Sequence, residues 1–219
     1  MSFKQSGSGD LTIIDEFDGG FGWLAYPEEE MQRASHALHT DAGTFLVDPL
    51  DADGLDDELD ARDADVAGIV VLLDRHERDA KALADRYSVP IFAPDGITRD
   101  FGTRARPFTG TLPGTEYDVV DVLDWPGWYE AALDDGETLV VPESLGTADF
   151  FRAPTERLGV HPMVRIAPPK SLLDCRPDRL LVGHGDGIVD GATGAIRTAI
   201  GGARSNAPSA WLKALRSAL

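Results

Sequence analysis

Asp74, His76, Glu77 and Asp79 fall within six residues of one another in the segment Gly68-Ile-Val-Val-Leu-Leu-Asp-Arg-His-Glu-Arg-Asp-Ala80. A neutral imidazole nitrogen and an ionised carboxylate oxygen both donate to cations and both exchange protons near neutral pH. Such a turn therefore has metal-ligand or acid/base character. A second candidate, His184, stands between Gly183 and Gly185 at the end of an apolar run, where the glycines free the backbone and let the ring reach a cleft. A third, Glu143, follows Thr138-Leu-Val-Val-Pro142 and suits a metal ligand or a general base. Each also has a plainer reading. Arg75 and Arg78 could pair with Asp74 and Asp79 as a salt-bridged turn around His76, Glu143 could be a solvated or helix-capping acid, and His184 could be structural. His36 and His39 fall on opposite faces of an alternating strand and cannot share one ligand.

These residues need elements to hold them. Residues 66–73 read as a buried strand, 77–87 as a helix with Ala80, Leu83, Ala84 and Tyr87 on one face, and 89–94 as a second strand. The end of such a strand is where ligands sit in many α/β enzymes. Upstream, 11–16 and 22–26 alternate like strands around Gly19-Gly20, and Leu55 and Leu59 mark a short helix in the acidic stretch 51–65. Downstream, 97–113 reads as loop, 117–123, 129–133 and 139–141 as successive strands, 149–169 as loop and short helix, and 180–182 as a buried strand. The last helix is expected at 210–219 with Trp211, Leu212 and Leu215 inward. Residues 1–10 read as a flexible terminus and 11–219 as one domain. The element order predicts an α/β fold, a four-layer αββα sandwich, rather than a doubly wound sheet.

Five stretches in order over residues 35–185 resemble the metallo-β-lactamase superfamily. Ala34-Ser-His-Ala-Leu-His-Thr-Asp-Ala-Gly-Thr-Phe-Leu-Val-Asp-Pro49 resembles its opening hairpin, and the Gly68–Ala80 segment stands where the family carries Thr-His-x-His-x-Asp-His. Trp125-Pro-Gly-Trp-Tyr129 stands where it has Thr-Pro-Gly-His-Thr, Thr138-Leu-Val-Val-Pro-Glu-Ser-Leu-Gly146 resembles the strand ending in Gly-Asp, and Leu180-Leu-Val-Gly-His-Gly185 resembles its Pro-Gly-His-Gly. The resemblance implies the αββα sandwich and, if the site turns substrate over, hydrolysis. It also shows departures. With His76 at the second histidine, Asp74 takes the first, Arg78 the aspartate and Asp79 the third histidine; a shift of one residue recovers the aspartate as Asp79 but puts Arg75, Glu77 and Ala80 at the histidines, and neither register gives the motif, while Trp128 replaces a ligand histidine and Glu143 the bridging aspartate. Indole has no donor lone pair and guanidinium is a cation. A degenerate site without the binuclear zinc centre, holding no metal and serving a binding role, is the expectation. The alternative is a mononuclear hydrolase holding a single zinc or other divalent metal through His76, Glu143 and His184, helped by Asp74 or Asp79; metal-free acid/base work by His184 with Glu143 is a third possibility.

The 38 acidic and 20 basic residues give a formal net charge of −18, and lysine occurs only at 4, 81, 170 and 213. Phosphate recognition needs clustered Lys and Arg, so a small molecule or a protein is the expected partner, not nucleic acid. The longest apolar run, 66–73, is too short to span a bilayer, and with Cys175 alone no internal disulfide can form; a cytoplasmic protein is expected. An Asp-rich, Lys-poor composition resembles that of proteins from organisms that keep high intracellular salt. At 1 M salt the Debye length is about 3 Å and self-repulsion is largely screened. The melting temperature should rise as KCl is raised from millimolar to molar; a flat or falling curve would remove this explanation of the composition.

Overall fold

Strands that are apolar at successive positions must be covered on both faces. Such runs stand at 68–73, 139–141 and 180–182, and the way they are covered defines the architecture. The computed structural model describes residues 2–7 and 9–217, with side chains described as far as Lys213. A first sheet runs in chain order through β1 (Thr12–Phe17), β2 (Gly20–Leu24), β3 (Ala34–Thr40), β4 (Gly43–Val47), β5 (Val66–Val70), β6 (Ile91–Pro94) and β7 (Ala105–Phe108). It is antiparallel from β1 to β4 and parallel from β4 to β7. The second sheet joins β8 (Asp118–Trp125), β9 (Trp128–Asp134) and β10 (Thr138–Val141) in antiparallel order. The short pair β11 (Leu145–Gly146) and β12 (Gly159–Val160) lies apart from it, and β13 (Arg179–Val182) closes it parallel to β10.

Alternation along each strand sorts the side chains into layers. Val70 and Leu72 meet Leu133, Val140 and Leu181 between the sheets. Ile69 and Val71 turn outward with Leu46 and Ile91 against α1 (Leu55–Ala61) and α2 (Ala80–Tyr87), through Leu55, Leu59, Ala80, Leu83 and Ala84. On the far side, Leu139, Val141, Leu180 and Val182 pack against Ile196, Ala199, Ile200 and Ala203 of α3 (Ala192–Ser217). Three apolar layers between four tiers make the αββα sandwich that the element order predicts.

Three expectations need correction. Residues 105–108, expected within a loop, form the edge strand β7, where Pro107 is tolerated because an edge leaves one row of N–H groups unpaired. The final helix begins at Ala192, 18 residues before its expected start at 210. Gly194, Gly201, Gly202 and Pro208 argue against a helix locally, but the stripe of Ala192, Ile196, Ala199, Ile200, Ala203 and Ala207 buries it, and tertiary packing outweighs propensity. Trp211 and Leu212 are 40% and 52% exposed rather than inward, and the Leu215 side chain lies outside the described residues, as do positions 218–219. Of the terminal segment expected to be flexible, Met1 and Ser8 lie outside the described residues. Among the others, the carbonyls of Ser2 and Phe3 accept from Glu30 and Met31 N–H at 3.0 and 3.3 Å, and Gln5 N–H donates to Glu29 Oε2 at 2.9 Å. Among the described residues no helix is long and apolar enough to cross a membrane.

Asp15 links the first strand to the loop after the last. It sits at a register shift in β1 with φ of 55°, and both carboxylate oxygens accept from Gly187 N–H, at 2.7 and 2.8 Å. Burial raises its pKa from 3.8 to about 6; the Gly187 hydrogen bond opposes this and the neighbouring Asp186 adds to it. The folded state thus binds this proton more tightly than the unfolded chain. The stabilisation is full below about pH 4 and is lost as pH rises through about 6. Asp15→Asn, which keeps an acceptor and tolerates positive φ, should add on the order of 1 kcal/mol at pH 8 and nothing near pH 4. Urea unfolding across that range measures it.

Candidate metal centre

The parallel pairs β4–β5 and β10–β13 each end their strands on the same side, so four carboxyl ends deliver Asp48, His76, Glu143 and His184 to one place. His76 Nε2 lies 3.0 Å and His184 Nε2 2.9 Å from Glu143 Oε2, and the ligand atoms of these three buried residues all lie within 4.8 Å of one another. The far side of each ring is fixed as well. His76 Nδ1 faces Asp48 Oδ2 at 3.0 Å and His184 Nδ1 faces the Met31 carbonyl at 2.8 Å. A carbonyl and a carboxylate can only accept, so each Nδ1 carries a proton, and Nε2, the atom turned toward Glu143, is the one that a neutral ring would offer as a lone-pair donor. Asp48 is held in turn by Leu72 N–H, which donates to its Oδ1 at 3.0 Å.

His161, which follows β12, differs in one respect. Its Nδ1 accepts from Met163 N–H at 3.3 Å, so the neutral ring carries its proton on Nε2, which lies 3.4 Å from Glu143 Oε1. Burial lowers its pKa to about 4. Burial also lowers that of His184. At Glu143 burial works against ionisation, but the charge and hydrogen bonds of His184 and His76 outweigh it and hold the carboxyl well below the usual range. An ionised carboxylate facing two ring nitrogens is complemented by positive charge among them, supplied by a ring proton or by a cation. The donor set thus fits a divalent cation, with His76, Glu143 and His184 as the ligands and Asp48 and Met31 behind the rings.

No family model matches the sequence, and no curated protein does. Solved structures do match. The DIM-1 metallo-β-lactamase exposed to ceftazidime superposes with a TM-score of 0.63 at 12% identity, covering 94% of this chain and 100% of the other. The fold is the metallo-β-lactamase fold. FIM-1 of Pseudomonas aeruginosa in its mono-zinc form gives a TM-score of 0.59 at 10% identity, over 93% of this chain and 97% of that one. The metal-soaked Flv1 flavodiiron core of Synechocystis sp. PCC6803 gives 0.64 at 12%, over 91% of this chain and 62% of that one. At these identities the likeness shows the fold alone.

Within the metallo-β-lactamase fold, several candidate residues take other work. Asp74 accepts from Thr98 N–H and Tyr129 N–H at 3.2 and 3.1 Å, and Asp79 accepts from Asp51 N–H at 2.8 Å, so both carboxylates hold loops and stand outside the cluster. Glu77 pairs with Lys81 and Arg99. The expected salt-bridged turn does not form. Arg78 instead donates to the backbone carbonyls of Ala34 and Asp48, each at 2.6 Å, and of Gly183 at 3.3 Å. Arg75 lies over the Trp128 ring at 4.1 Å with Nη2 3.8 Å from Glu143 Oε1. The Trp128 indole N–H donates to Glu130 Oε2 at 3.0 Å. His36 is packed, with Nε2 3.0 Å from the Val182 carbonyl, and His39 is half-buried against Thr44. The buried Cys175 thiol is pushed up to about 12, chiefly by burial.

His161, Asp48 and Glu130 were not among the candidates. His161 stands in Gly159-Val-His-Pro162, a stretch without helical or strand period, and its only signal was being one of five histidines. Arg78 carries the clearest energetic consequence: one planar fork joins three carbonyls at the ends of separate strands, of which that of Asp48 also accepts from the Ser35 hydroxyl and that of Gly183 from Ala34 N–H. Arg78→Lys should cost about 1–2 kcal/mol, since an ammonium cannot span all three and charge-assisted hydrogen bonds are lost. Urea midpoints of the two proteins check this.

Proposed function

We propose that this protein is a mononuclear metal-dependent hydrolase with a remodelled site, holding one divalent ion through His76 Nε2, Glu143 and His184 Nε2. The observation that carries the reading is the pair of pinned Nδ1 protons, which leaves two lone pairs and a carboxylate converging within 4.8 Å. Three protein donors with a further position open are the pattern of catalytic rather than structural zinc. The expectation that no metal is held fits this donor set poorly.

Two features support one ion over two. Trp128 and Arg78 replace donors, and the Arg78 guanidinium, which stays charged, places a fixed cation behind Asp48. When bound, a single ion would polarise an acyl or phosphoryl oxygen and ease ionisation of water. Glu143 Oε1 does not face the two ligand nitrogens and lies toward His161 and Arg75. His161 Nε2–H is placed to donate a hydrogen bond to an oxygen on which negative charge develops. Arg75, whose side chain is 44% exposed, reaches the site from solvent. With a net charge of −18 the substrate is a small molecule, not nucleic acid.

A second reading has its own support. His76, Glu143 and His184 are all buried, as suits a retained metal in a binding protein without turnover. Elemental analysis of protein purified without chelator should give one metal per chain, lost in His184→Ala and in His76→Ala. His161→Ala should keep the metal and lose about 100-fold in kcat on whichever ester, thioester or phosphodiester is hydrolysed. Two metals per chain, or none, would overturn the mononuclear reading; one metal with no turnover on any of the three classes would favour the binding protein.

A further inference from the structure

Glu130 has no role in the site as described so far, yet it is fully buried and accepts four hydrogen bonds. Glu143 N–H and Ser144 N–H donate to its Oε1 at 3.1 and 2.7 Å, and the Ser144 hydroxyl and the Trp128 indole N–H donate to Oε2 at 2.5 and 3.0 Å. The two backbone donors are the peptide groups on either side of the Glu143 α-carbon. Pro142 precedes them and fixes its own φ, so the segment carrying the Glu143 carboxylate is held at successive residues.

The backbone of Glu130 does a second job. It bridges Leu73, its neighbour Ala131 donates N–H to the Leu72 carbonyl at 2.9 Å, and the Tyr129 carbonyl accepts from Asp74 N–H at 3.2 Å. Those contacts hold residues 72–74, and His76 N–H bonds back to the Leu73 carbonyl at 2.9 Å. One residue of β9 therefore touches both ligand-bearing segments, one through its main chain and one through its side chain. Trp128 completes the arrangement: standing where the resemblance places a ligand histidine, it supplies a donor to Glu130 instead of a lone pair to a metal.

We propose that Glu130 is the positioning residue of the metal centre, setting the distance between Glu143 and the imidazoles of His76 and His184 through its clamp on residues 143 and 144. The proposal rests on the mononuclear reading. Glutamine at 130 has the same shape but only one acceptor oxygen. Whichever way its amide is turned, the NH2 faces either the two peptide N–H groups or the indole N–H and the Ser144 hydroxyl, so at least one obligatory donor loses its partner.

The test is Co(II) titration of the full chain, followed by the visible ligand-field bands, with thermal melting recorded by circular dichroism. Wild type should take up one Co(II). Glu130→Gln should remain folded, bind about 10–100-fold more weakly and show shifted bands; Ser144→Ala, which removes one donor and leaves the carboxylate, should lose less than 10-fold. A folded Glu130→Gln variant with wild-type affinity and bands, whatever its melting temperature, would overturn the positioning role. If Glu130→Gln does not fold, Trp128→Phe decides: it removes only the indole donor and should shift the bands with a loss of a few-fold, and unchanged bands and affinity would count against the proposal. Wild type that binds no Co(II) would instead sink the metal reading itself, a different result from binding that ignores residue 130.

Discussion

Glu143 Oε2 receives two imidazole nitrogens at 2.9 and 3.0 Å, and both rings are held from behind by groups that can only accept protons. Such a grouping is electrostatically incomplete by itself. Its demand for positive charge accounts for its neighbours: His161 Nε2 lies 3.4 Å from the second carboxylate oxygen, Arg75 approaches that oxygen from solvent, and Asp48 stays behind His76 where its charge sharpens the ring's donor character. A lone buried carboxylate at this position would be costly; surrounded in this way it becomes the reason for the arrangement.

The scaffold meets that demand through strand ends. β4, β5, β10 and β13 finish on one side of the sandwich, and each is fixed along its length by apolar contacts on both faces. Arg78 closes the space between the sheets by joining the carbonyls of Ala34, Asp48 and Gly183. Its guanidinium sets a permanent cation beside the strand ends that carry Asp48 and His184.

Much of the frame was legible because it rests on local periodicity. The apolar run at 66–73, the helical faces of α1 and α2, and the turn at 41–43 are where alternation and spacing place them. The extent of α3 was not, because Gly194, Gly201, Gly202 and Pro208 oppose helix locally and only the buried stripe on the other sheet overrides them. At the site, residue type identified His76, Glu143 and His184, which the fold brings together. Type alone could not tell that Asp74 and Asp79 are spent on backbone N–H groups, since acceptors of loop amides and ligands of cations have the same chemistry. Nor could it find His161, whose relation to Glu143 depends on a β11–β12 pairing with two residues in each strand.

His76 and His184 differ in how their tautomers are enforced. His76 depends on the Asp48 side chain, and a single base change could remove that carboxylate. His184 depends on the main-chain oxygen of Met31, which every amino acid at position 31 would supply. One half of the centre is therefore exposed to genetic drift and the other is shielded from it. A lineage losing this chemistry would be expected to erode first on the Asp48–His76 side, leaving His184 as the more durable relic.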